Sequence, residues 1–156
     1  MSIQNLVTAL DASLQSEIGA KNAQIELLER QERAITARDV EALGEATREL
    51  QTHVQREIER AVKRSTIMAD LARALELNGT VRVGAIADAL GTRGRTLATR
   101  RTELRARCAT SLRKTRHVAA LVRGHASLVE EALGRFLAPD PSGAPLGRGS
   151  LVDAEA

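Results

Sequence analysis

The stretch from Thr92 to Leu137 most constrains what this chain can fold into, because it contains no proline and only isolated glycines. Its apolar or small residues recur mostly three or four positions apart, which is the pattern of an amphipathic helix. They are Leu97, Leu104, Cys108, Leu112, Thr115, Val118, Val122, Ala126, Val129, Leu133 and Phe136. Such a helix would be roughly 70 Å long. We therefore expect part of the stripe to pack on another long helix and part to be left for a binding partner.

Composition indicates an all-α protein. The chain has 156 residues and a single aromatic residue, Phe136, and its apolar content is mostly Ala, Leu, Val and Ile. This composition is typical of long helices and coiled coils. Cys108 is the only cysteine, which excludes an intramolecular disulfide and fits a reducing compartment. We expect Cys108 to be a small buried residue of the helix.

The first half of the chain provides the other long helical arm, over residues 3–77. Two apolar series follow helical spacing: Ile3, Leu6, Val7, Leu10, Leu14, Ile18, Ile25, Leu28 and Ile35, then Leu43, Thr47, Leu50, Val54, Ile58, Ala61, Met68, Leu71 and Leu75. Asp39 could cap a second helix, but with no Gly or Pro nearby the two stretches could equally be continuous. Asn78-Gly79 is the expected stop of the arm.

These elements predict an elongated antiparallel helical hairpin or bundle with coiled-coil-like packing. We expect one helical domain over 1–137, with the long arm 3–77, a connector 79–91 containing a short helix, and the return helix 92–137. Residues 138–156 contain all three prolines and several glycines, which neither sustain a helix nor bury a core. We interpret them as a disordered tail.

Charge separates along the chain. Residues 1–78 contain ten lysines and arginines against thirteen acidic residues, whereas residues 79–137 contain twelve against four. An acidic arm and a basic arm attract each other, which favours their pairing. The basic run 93–116 is then mainly a solvated, partly neutralised face.

A helix-turn-helix DNA-binding regulator using the 83–107 region is one alternative. Ile86-Ala87 would lie on the first helix, Leu90-Gly91 at the turn and Leu97 on the second helix. Phosphate contacts would come from Arg100, Arg101, Arg105 and Arg107. Against it, the second helix runs on for some forty residues and Gly94 stands where base-contacting side chains should be. We expect only weak, sequence-blind DNA affinity that is lost as salt rises.

Sequence patterns for catalysis or metal binding are missing. His53, His117 and His125 have no carboxylate or cysteine at ligand spacing, and no phosphate-binding loop is present. We expect no enzymatic activity, no cofactor, no metal and no small-molecule substrate. The sequence also shows neither a membrane anchor nor a signal peptide, so we expect a cytoplasmic protein without membrane insertion.

The order of motifs resembles flagellar export chaperones of the FlgN type over roughly residues 3–137. The resemblance rests on Leu27-Leu28-Glu29-Arg30-Gln31-Glu32, a restart at Asp39-Val40-Glu41-Ala42-Leu43, and a return helix ending in Ala120–Leu133. Lys114-Thr115-Arg116-His117 departs from the asparagines associated with that family. The resemblance implies a cytoplasmic chaperone that binds the C-terminal amphipathic helix of hook-associated (hook-filament junction) proteins, prevents their premature assembly and presents them to the export gate.

The client-facing surface is expected at the end of the return helix, where apolar positions exceed one narrow seam. The predicted partner-binding residues are Leu121, Val122, Leu128, Val129, Leu133 and Phe136. Two alternatives use the same residues. They either pack on the N-terminal helix, or they bury against a second copy in a plain coiled-coil oligomerisation module.

Overall fold

The computed structural model describes residues 2–79 and 81–137, and all of their regular structure is helical. The elements are α1 (Ile3–Ala37), α2 (Val40–Ala74), α3 (Val83–Ala89), a 3₁₀ helix (Gly91–Gly94) and α4 (Arg95–Leu137). The predicted all-α fold class is confirmed. The predicted tail, 138–156, and Thr80 of the predicted connector lie outside the described residues.

A two-residue turn separates α1 from α2, so these helices are not continuous. Arg38 adopts the left-handed conformation with φ 57°, and the Asp39 N–H donates to the Ala34 carbonyl at 2.9 Å. The Asp39 carboxylate then accepts from the Ala42 N–H at 2.9 Å, which caps α2 as the sequence predicted. The predicted arm 3–77 therefore consists of two helices joined by this turn.

The end of α2 differs from the predicted stop at Asn78-Gly79. The helix ends at Ala74, and the Leu77 N–H donates to the Ala72 carbonyl at 2.9 Å across Glu76, whose φ is 54°. This is the helix-ending pattern usually formed by glycine in the left-handed position. The earlier stop brings Leu75 and Leu77 onto an apolar cluster, which explains why the chain turns before its glycine.

The chain divides into two units, Met1–Leu121 and Val122–Ala156. Within the first unit, α2 runs antiparallel to α1, as the ion pairs Lys21–Glu57 (2.8 Å) and Arg30–Glu49 (2.7 Å) indicate. The first-unit part of α4 runs parallel to α1, because Gln24 contacts Ser111 and the later Glu32 contacts His117. This part of α4 is thus antiparallel to α2 but parallel to α1.

Two apolar clusters hold the first unit together. The larger one joins the start of α1, the end of α2, α3 and the start of α4, and its buried members are Leu6, Leu10, Leu14, Leu71, Ile86, Ala87, Leu90 and Leu97. The smaller one contains Leu28, Ile35 and Val118, with Leu121 at its edge. Between them the bundle has few fully buried apolar residues, so α2 and α4 are covered mainly at the two ends of the unit.

Gly94 allows the 3₁₀ helix to pack closely against α3. A Cβ at this position would lie 2.7 Å from the carbonyl carbon of Ala87 and 2.8 Å from its Cα. Both contacts are with backbone, so α3 would have to move. We expect Gly94→Ala to lower the free energy of unfolding by about 1–3 kcal/mol, measured by urea denaturation.

Gly44→Ala is the matched control, because a Cβ there meets nothing within 4 Å. In the middle of a helix, this change should raise the free energy of unfolding by about 0.5–1 kcal/mol. Equal effects at the two positions would contradict the close packing of Gly94 on α3.

Candidate functional site

The second unit carries an uncovered apolar stripe on α4, within Val122–Leu137. Four of the predicted partner-binding residues, Val122, Val129, Leu133 and Phe136, follow one another at steps of seven, four and three, which places them on one helix face. Phe136 is 87% exposed and Leu133 is 53% exposed. Leu128 lies about 100° around the helix from Val129 and is 64% exposed. The stripe therefore presents a broad apolar surface to solvent.

Leu121 has a different environment from the other five predicted residues. It is half-buried and packs against the cluster of Leu28, Ile35 and Val118 in the first unit. This contact helps hold α4 on α1. The exposed part of the predicted surface is therefore made of Val122, Leu128, Val129, Leu133 and Phe136.

The acidic and basic halves pair along α1 and α4 of the first unit, as the charge pattern predicted. Lys114 Nζ lies 3.0 Å from Glu29 Oε1 and 3.5 Å from Glu32 Oε2. Arg100 Nε lies 3.5 Å from Asp11 Oδ1. The hydrogen bond to Glu29 raises the pKa of Lys114 above its ordinary value. The basic field of α4 is therefore partly neutralised by α1.

The residues of the helix-turn-helix alternative occupy a helix, a turn and a second helix, but they serve the core. Ile86 and Leu97 are completely buried in the larger cluster, and Leu90 is nearly so. Gly94 is buried against α3 and presents no side chain. Arg101 lies against α3, with a guanidinium nitrogen 3.2 Å from where a Cβ on Gly84 would be. The motif is thus a packed connector between α2 and α4.

Cys108 is exposed, so the prediction that it is buried was wrong. The physical reason is that helical spacing places Cys108 on the apolar face of α4, but none of the described helices covers that face in the middle of the bundle. Leu112 is 51% exposed for the same reason. On α2, Val54, Ile58 and Ala61 are likewise exposed although they belong to the predicted stripe.

These uncovered segments line a groove over α1 that the sequence alone did not reveal. Its residues include Val54, Ile58 and Ala61 from α2 and Leu104 and Cys108 from α4. Along α1, burial raises the pKa of the Glu17 carboxyl, and the nearby Arg64 guanidinium opposes this effect. The spacing of apolar residues indicated both faces, but only the positions of the helices show that the faces border one groove.

The histidines do not gather into a cluster of metal-binding side chains. His117 Nε2 lies 3.2 Å from Glu32 Oε1, and His53 lies beside Glu57 on α2. In residues 2–79 and 81–137, no group of three or more His, Cys, Asp or Glu side chains is placed to hold a metal ion. None of the helices in this described part combines the length and apolar character that a membrane span requires.

An all-helical chain with apolar stripes presented to solvent has the features of a helical protein-binding module. The family model of the FlgN protein matches residues 1–141, and the chain belongs to this family. It is therefore a flagellar export chaperone. Members of this family are chaperones rather than enzymes, and they bind flagellar proteins. Neither the comparison with curated proteins nor the comparison with solved structures gave a match.

Proposed function

We propose that this chaperone binds hook-associated proteins in the cytoplasm, prevents their premature assembly and presents them to the export gate. The client segment is a C-terminal amphipathic helix, and its docking surface is the exposed stripe of Val122, Leu128, Val129, Leu133 and Phe136. The observation that carries this proposal is the exposure of five large apolar side chains on one helix segment in a family of export chaperones.

Burial of this stripe supplies the driving force for binding. Removing apolar surface from water contributes about 25 cal/mol per Å², and an amphipathic client helix offers a matching face at three- and four-residue spacing. A disordered client terminus that folds on binding loses conformational entropy, which lowers the net affinity and keeps the complex reversible. Reversible binding suits a chaperone that must release its client for export.

Co-purification and calorimetry with a hook-associated protein test the proposal. We expect the full-length client to bind and a client lacking its C-terminal helix to lose most of its affinity. Equal binding of the truncated client would overturn the proposed mode of recognition. No binding of either form would overturn the client class.

A plain oligomerisation module makes a different prediction for the same residues. In that case the stripe would be buried against a second copy, and the chain alone would sediment as an oligomer. Replacing Leu128 and Leu133 by glutamate would then dissociate the oligomer. The chaperone proposal instead expects the same sedimentation coefficient for the wild-type chain and this variant.

A further inference from the structure

The groove between α2 and α4 of the first unit is a second uncovered apolar surface. It encloses about 370 Å³ of open space. Its apolar lining includes Val54, Ile58 and Ala61 from α2 and Leu104 and Cys108 from α4. Ile58 is 55% exposed. On α2 these residues lie between the buried Ala46 and Leu71, and on α4 they lie between the buried Leu97 and Val118. Within the described residues, this part of each stripe lacks the packing partner that helical amphipathicity normally requires.

The groove continues towards the connector. A neighbouring space of about 600 Å³ shares Ala61, Arg64 and Leu104 with the first, and its apolar lining includes Met68 and Val83. Along α2 the lining extends from Val54 to Ala69. At 1.5 Å per residue this is about 22 Å, or roughly four helical turns. The combined groove therefore matches the length of an ordinary short helix.

The end of the groove near the connector is basic. Arg64, Arg82, Arg101 and Arg105 line it, and no acidic residue is among the lining residues there. Arg64 is paired with Glu17. Within the described part of the chain, Arg82, Arg101 and Arg105 have no ion-pair partner. The groove thus combines apolar walls with an uncompensated positive charge at one end.

We propose that this groove binds an amphipathic helix of a partner protein whose apolar face is flanked by acidic residues. Apolar walls at helical spacing match the apolar face of the partner, and the three arginines attract its carboxylates. The site is separate from the client stripe of residues 122–137 and does not depend on the identity of the client. The chaperone would then hold two helical ligands at different surfaces.

Cys108 provides a direct test, because it is the only cysteine and it lines the groove. The probes are two designed helical peptides of about 16 residues, long enough for the groove. They share a leucine and alanine face and differ only in having glutamate or lysine on the flanks. We measure peptide binding by fluorescence anisotropy and the reaction rate of Cys108 with a thiol reagent.

We expect the glutamate peptide to bind at least about tenfold more tightly than the lysine peptide, with affinity that falls as salt rises. It should slow the reaction of Cys108 by at least about tenfold, because a bound helix covers the thiol. Equal affinity of the two peptides, or an unchanged Cys108 rate in the saturated complex, would overturn the proposal.

Variants separate this groove from the client stripe. We expect two variants to bind the glutamate peptide at least about tenfold more weakly than the wild type. One is Ile58→Glu, and the other combines Arg101→Glu with Arg105→Glu. All three residues are exposed, so circular dichroism should show unchanged helicity. Leu128→Glu with Leu133→Glu should leave peptide binding unchanged, and a loss of binding in that variant would contradict a separate site. A wild-type dimer that dissociates on Ile58→Glu would assign the groove to a second copy and overturn the proposal.

Discussion

Replacing both Leu128 and Leu133 by glutamate is expected to abolish capture of a hook-associated client while leaving helicity unchanged. The two leucines are 64% and 53% exposed, so the new carboxylates remain in water in the free chaperone. In the complex they would be buried without partners, at a cost of several kcal/mol. Because each 1.4 kcal/mol changes affinity about tenfold, calorimetry should show a loss of at least about 100-fold.

The matched control is Ser127→Glu with Gly134→Glu. This variant adds the same charge to the same segment of α4, but on its polar face. Both positions are exposed, and a Cβ at Gly134 meets nothing within 4 Å. We expect client affinity within about threefold of the wild-type value, since exposed charges interact weakly in water. Similar losses in both variants would mean that net charge, rather than the apolar stripe, governs binding.

The largest effect on stability is expected at Leu10. Its side chain is completely buried in the cluster that joins α1, α2, α3 and α4. Leu10→Ala removes buried apolar surface and leaves a cavity, so the free energy of unfolding should fall by about 2–5 kcal/mol. Urea denaturation followed by circular dichroism measures this change.

Leu112→Ala is the control for Leu10→Ala. Leu112 is 51% exposed in the middle of α4, and its removal should change the free energy of unfolding by less than about 1 kcal/mol. Comparable losses at the two positions would contradict the assignment of the core to the end of the bundle near the connector.

The core could be predicted from the sequence because apolar spacing fixes which residues share a helix face. Leu6, Leu10 and Leu14 follow this pattern and are buried, and Asp39 forms the predicted cap. The helix ends at Arg38 and Glu76 are harder to predict from the sequence. Glycine usually marks the left-handed position, and neither residue is glycine. Those ends depend on packing of the following residues, which local sequence does not encode.

Periodicity also could not distinguish covered from uncovered parts of a stripe. Val118 and Cys108 belong to the same predicted series, yet Val118 is buried against α1 and Cys108 faces the groove. Coverage depends on where the other helices lie, and the sequence indicates only which face is apolar. The extra apolar positions near the end of α4 predict a partner surface within residues 122–137. The groove between α2 and α4 has no such signal in the sequence, because it depends on how the helices are arranged.

Hydrogen–deuterium exchange with and without a bound hook-associated protein tests the central claim most directly. If the client helix docks on the exposed stripe, amide exchange within residues 122–137 should slow by at least about tenfold in the complex, because docking suppresses local opening of this helix segment. Leu10 and its neighbours in the core serve as the internal reference and should change little. A stable complex with unchanged exchange across residues 122–137 would contradict the account.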